Sequence, residues 1–142
     1  MGAPLGSVMR NLFLALAVVL AGCSMSGDSK VAQAEVVTFH ELLDAGQFEK
    51  IYDNASSDLK KAATKEKFVD LLQAIHKKLG NTRASDMKGW TVNYNTSGSY
   101  ATLTYQTFYT DDEANEQFVY RLEDNKALLA GYHIESNGLI TK

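Results

Sequence analysis

Cys23 is the only cysteine among the 142 residues, so no disulfide can form within the chain and its stability has to come from packing. Basic clusters are scarce as well. Lys60-Lys61 and Lys77-Lys78 are the only basic pairs, and 14 Lys and Arg stand against 17 Asp and Glu. A mildly acidic chain without a Lys/Arg cluster lacks the phosphate-neutralising surface that supplies most nucleic-acid affinity, so no nucleic-acid partner is expected. Catalytic patterns are missing too. No Ser/His/Asp arrangement, phosphate-cradling glycine loop or Cys/His pair is readable. The histidines are His40, His76 and His133. His40 and Asp44 are spaced to share a helix face, but a helical zinc site needs a second histidine at that spacing. Asp111, Asp112, Glu113 and Glu116 form the densest acidic group without the Asp-x-Asp-x-x-Gly pattern of a calcium loop, and they read as a solvated hairpin tip. No metal and no cofactor are expected.

The first two dozen residues carry the strongest pattern present. Arg10 precedes the apolar run Asn11 to Leu20, and Leu20-Ala21-Gly22-Cys23 follows. A cationic start, a short apolar core and small residues before a cut are what the export machinery reads, and the run is too short to span a bilayer as a stable helix. Met9, just ahead of Arg10, is as good an initiator as Met1. Leu20-Ala21-Gly22-Cys23 resembles the lipobox of bacterial lipoproteins. That resemblance implies cleavage of residues 1–22, acylation of the Cys23 thiol and anchorage of the mature chain in the cell envelope. Ser24, where an aspartate would favour the inner membrane, implies by the same resemblance the outer membrane facing the periplasm of a two-membrane cell. Two or three acyl chains hold a protein stably to a bilayer, at roughly 0.8 kcal/mol per buried methylene.

About 120 residues remain after the signal, enough for one domain with a real core. Residues 23–30 are small and polar and read as a flexible lipidated tether, leaving 31–142 as a single domain. Val36, Phe39 and Leu43 mark a first helix that ends at Gly46, and Phe48, Ile51, Tyr52 and Ala55 mark a second. Residues 58–63 read as a polar connection anchored by Leu59. The third helix, 65–79, has Thr64 as N-cap, a stripe of Phe68, Leu71, Leu72, Ile75 and Leu79, and Gly80 as stop. Residues 81–85 read as a loop.

Beyond it the period falls to two. Trp90, Val92 and Tyr94 begin a first strand; Ala101, Leu103, Tyr105 and Tyr109 share a face of a second; Phe118, Tyr120 and Leu122 alternate on a third. Leu128, Ala130, Tyr132 and Ile134 complete a fourth, and the short turns between strands demand antiparallel neighbours. The expected class is α+β, with three N-terminal helices packed on one face of a four-stranded antiparallel curled sheet. This order resembles the cystatin-like, nuclear transport factor 2-like cone. Within it, the chain is similar to small exported proteins of unknown function whose helical half ends in Leu-Gly followed closely by Arg, here Leu79-Gly80-Asn81-Thr82-Arg83. The resemblance covers roughly residues 31–137 and brings no catalytic motif.

Two functional expectations follow. The first is a non-enzymatic module, anchored in the membrane by its lipid, that binds an envelope protein or other envelope component through its sheet or cone mouth. Tyr-rich strands suit such a surface because tyrosine joins apolar area to a polar tip. The alternative is a small-molecule-binding protein or enzyme using the open end of the cone, where Trp90, Tyr94, Tyr105 and Tyr120 are the candidate ligand-lining residues. An enzyme there would need a buried titratable group, such as Asp70, His40 or Tyr94.

Overall fold

The computed structural model describes residues 23–141. The expected signal sequence, residues 1–22, lies outside the described residues. Four helices, α1 (Cys23–Asp44), α2 (Phe48–Asp53), α3 (Ser57–Ala62) and α4 (Lys65–Leu79), precede four strands, β1 (Thr82–Asn95), β2 (Gly98–Tyr109), β3 (Glu113–Glu123) and β4 (Lys126–Glu135). A short α5 (Asn137–Thr141) ends the described chain. The strands form one antiparallel sheet in chain order, a meander, and the curl is helped by register shifts in the β1–β2 and β3–β4 pairs. The α+β class therefore holds, with four N-terminal helices where three were expected.

The extra helix is α3, which was read as a polar connection. It buries only Leu59, so it has no apolar stripe to betray it; Asp58 in its first turn and Lys60 and Lys61 in its last suit the helix dipole instead. α1 also starts earlier than the expected Val31. Ser29 and Ala32 are already buried, and small residues give no hydrophobic signal. β1 starts at Thr82, inside the expected loop, because its first half is mostly exposed and shows no alternation to read.

α4 matches its expected bounds, with the Thr64 hydroxyl accepting from the Lys67 N–H. Phe68, Leu72, Ile75 and Leu79 are buried, whereas Leu71 of the expected stripe is exposed. Those side chains join Val36, Phe39 and Leu43 of α1 over the inner face of the sheet, which presents Ala101, Leu103, Tyr105 and Tyr109 from β2. Phe118 of β3 stands at the centre, fully buried, with the rings of Phe39, Tyr105 and Tyr132 within 6 Å centroid to centroid. On β4 the inner set changes phase. Val119 faces Gly131 while Tyr120 faces Leu129, so Ala130 is left over, and the buried residues are Ala127 and Leu129 rather than Leu128 and Ala130. Beyond that bulge Tyr132 and Ile134 pack on the core as their alternation indicated.

The two sheet edges differ. At β4, the Ser56 N–H donates to the Leu129 carbonyl at 2.9 Å, and Asp58 of α3 binds Arg121 of β3 and Tyr100 of β2, so the α2–α3 segment closes that side. β1, 14 residues long, has no strand on its other side among the described residues.

Candidate functional site

A buried carboxylate sits where α1 crosses the sheet. Glu116 of β3, 2% exposed, accepts from three elements: His40 Nε2 of α1 on Oε1 at 2.9 Å, the Tyr109 hydroxyl of β2 on Oε2 at 3.0 Å, and the Tyr132 hydroxyl of β4 on the same oxygen. Thr107, fully buried beside it, shares a hydroxyl contact with Ser85 of β1 at 3.0 Å. Burial pushes the Glu116 carboxyl up, but the hydrogen bond and charge of His40, with the Thr107 and Tyr132 hydroxyls, outweigh it and hold the group below the ordinary carboxylate range. Burial and the neighbouring Glu116 charge push the Tyr109 and Tyr132 phenols up, so both remain donors. A carboxylate only accepts, so the His40 Nε2 facing it carries a proton. With both oxygens taken by protein donors and solvent excluded, Glu116 ties α1 to three strands.

The acidic tip expected at residues 111–116 is thus corrected at its last member. Ala114, Glu116, Phe118 and Tyr120 form one inward set, and extending the alternation of β3 back by one alternate position from Phe118 would have found Glu116. His40 is buried with it. Asp70 is exposed, His76 is half-buried against Asn81, and His133 is exposed beside Glu135. No group of His, Cys, Asp and Glu able to hold a metal ion occurs among the described residues.

The four expected ligand-lining residues all lie on the inner face, but the structure separates them. Tyr105 and Tyr120 are buried core, each packing its ring near Phe118. Trp90 and Tyr94 lie on β1, opposite Leu103 and Ser99 of β2, and Met87 lies opposite Tyr105. Leu103 is fully buried, yet Met87, Trp90 and Tyr94 are 37%, 40% and 58% exposed. The inner face of β1 is covered only in part: Val92 packs on the core, while Met87, Trp90 and Tyr94 keep exposed surface. α1 is pinned along this strand at both ends, by Tyr94 donating to Asp28 at 2.7 Å and by the Thr82 N–H donating to Asp44 at 2.9 Å.

A cleft of about 420 Å³ opens on the opposite side of α1, between α2 and the β3–β4 hairpin. Val31, Leu42, Ile51 and Leu129 line it with Glu35 and Tyr120. The Tyr120 hydroxyl is buried without a hydrogen-bond partner. Burial raises the Glu35 carboxyl, and burial with the nearby Glu35 charge raises the Tyr120 phenol well above its usual range.

No described helix is long and apolar enough to cross a membrane. No curated protein matches the chain. A solved structure from Catenulispora acidiphila superimposes with a TM-score of 0.54 at 16% identity, covering 80% of this chain and 94% of that one, a likeness of fold. Residues 35–132, which run from α1 through all the strands to Tyr132, match one family over most of the domain just described. The chain belongs to the family described as Protein of unknown function (DUF4019).

Proposed function

We propose that this protein is a lipid-anchored module of the cell envelope, held by acylated Cys23 at the membrane, in a two-membrane cell the outer membrane facing the periplasm, that binds an extended segment of an envelope protein along the open edge of β1. The observation that carries the reading is the set of Met87, Trp90 and Tyr94, which keep exposed apolar surface on the inner face of β1 beside a backbone edge with no strand neighbour among the described residues. An added strand would satisfy the edge N–H and C=O groups while its alternate side chains pack on those apolar residues. Lys88 and the register shift between Met87 and Gly89 interrupt the edge, a feature that disfavours indiscriminate pairing. The Leu20-Ala21-Gly22-Cys23 motif supports the anchor, and the curled sheet beneath its helix layer suits the cystatin-like, nuclear transport factor 2-like cone. Trp90→Ala is expected to weaken partner binding by about 2–3 kcal/mol, on the order of 30- to 150-fold, as truncating a central aromatic anchor does. The check is a photo-crosslinker at Thr91 to identify the partner in intact envelopes, then titration of its segment; affinity unmoved by Trp90→Ala would refute the reading.

The Tyr120 hydroxyl favours a second reading, a small-molecule site in the cleft beside Glu35. With the cleft empty, Tyr120→Phe removes an unpaired buried hydroxyl and is expected to raise stability by about 1 kcal/mol in urea unfolding. A bound small molecule reverses the order: a low-molecular-mass envelope extract would then protect the parent chain more than the variant. Equal protection of both would leave the cleft without a role.

A further inference from the structure

We infer that the anchor holds the domain end-on against a lipid surface, with the end that carries Asp28, Tyr94 and the β1–β2 and β3–β4 turns facing the headgroups. This rests on the acylation of Cys23 proposed above. The core begins almost at once after that residue: Ser29 and Ala32 are buried, and Asp28 is held by Tyr94. The link from Cys23 to Asp28 therefore spans at most about 18 Å if fully extended, and about 8 Å if helical.

α1 continues from Asp28 to Asp44, where it is held by Thr82 at the other end of β1, a further distance of roughly 24 Å along the helix axis. An inverted domain, with the Thr82 end at the bilayer, lies beyond the reach of the link. The segment expected to be a flexible spacer is too short to let the domain turn over.

The near end suits a zwitterionic headgroup layer. Its turns present Asn95, Thr96, Ser97 and Asn125 together with Glu123, Asp124 and Lys126, and without a Lys/Arg cluster they do not select anionic lipid. Tyr94 is exposed there, an amphipathic ring of the kind that settles at headgroup level. β1 then points away from the bilayer, and its 14 residues offer the open edge over roughly 46 Å, so the partner segment is taken close to the membrane.

The test uses the full lipidated protein in phosphatidylcholine vesicles, with a spin label on Thr96→Cys or, at the far end, Lys77→Cys, and a nickel chelate confined to lipid headgroups. The label at position 96 is expected to collide with nickel about fivefold more often than that at position 77, given a headgroup layer only several ångströms deep on each side. A Gly/Ser insert of about 20 residues between Ser26 and Gly27, with a root-mean-square span near 25 Å, is expected to bring the ratio close to one. Mass spectrometry of the same samples separates the two claims. An acylated Cys23 with equal collision rates and no insert overturns the orientation alone, whereas a free Cys23 thiol overturns the anchor and the orientation together.

Discussion

Replacing Glu116 by alanine is expected to destabilise the domain by about 3–5 kcal/mol, the usual loss when one member of a buried, hydrogen-bonded charged group is removed. For a domain of this size that lowers the thermal midpoint by roughly 10–20 °C. The loss exceeds that of a single hydrogen bond because Glu116 is the common acceptor of His40, Tyr109 and Tyr132, and its removal strands all three donors in the core. Glu116→Gln keeps the shape but offers one acceptor oxygen, and it should fall between alanine and the parent. Urea unfolding at neutral pH measures both; a change under about 1 kcal/mol for Glu116→Ala would mean that the cluster does not hold α1 to the sheet.

The same group sets a pH dependence. Its folded pKa lies below the ordinary value of 4.5, so between the folded and unfolded values the unfolded chain binds the extra proton. The stabilisation is complete above about pH 4.5 and is lost as the pH falls through the folded value. The stability gap between the parent and Glu116→Gln should accordingly be widest near neutrality and shrink in acid. A gap that stayed constant below pH 4.5 would contradict an ionised Glu116 in the folded core.

Gly80→Ala is expected to cost about 3–5 kcal/mol, combining the strain of a backbone conformation closed to side chains with overpacking. Gly80 ends α4 with φ 81° and ψ −152°, and a Cβ there would stand 1.8 Å from Thr110 Oγ1. That hydroxyl cannot step aside freely, because it accepts from the Asn81 N–H and donates to the Leu79 carbonyl. The substitution should therefore also loosen the junction of α4 with the end of β2. Hydrogen exchange at Thr110 and Asp111, whose N–H groups donate to Asn81 and Leu79, reads that loosening directly. Thr110→Ser, which keeps the hydroxyl and removes a methyl, should not rescue Gly80→Ala, since the clash is with the oxygen.

Much of the architecture is local in origin and therefore legible. Thr64, the stripe from Phe68 to Leu79 and Gly80 bound α4 because capping, amphipathicity and termination each act within a few residues. The β3–β4 turn at Asp124 and Asn125, both at positive φ, was readable for the same reason. α3 escaped because six residues with a single buried leucine carry no period, and the bulge at Ala130 escaped because an extra residue leaves the composition of β4 unchanged.

The alternation of residues along the strands by itself assigned Trp90 to a strand face and set out the four-stranded meander, whereas Glu116, one alternate position before Phe118, was read as part of a solvated turn. What it left undetermined is which inner positions another layer covers. That was decided by where α1 lies, crossing β3 at His40 while running beside β1, so that Glu116 is 2% exposed and Trp90 40%. Periodicity reports the direction of a side chain from its nearest neighbours along the chain. Burial depends on atoms contributed from 76 residues away, as in the pairing of His40 with Glu116, and no local pattern encodes it.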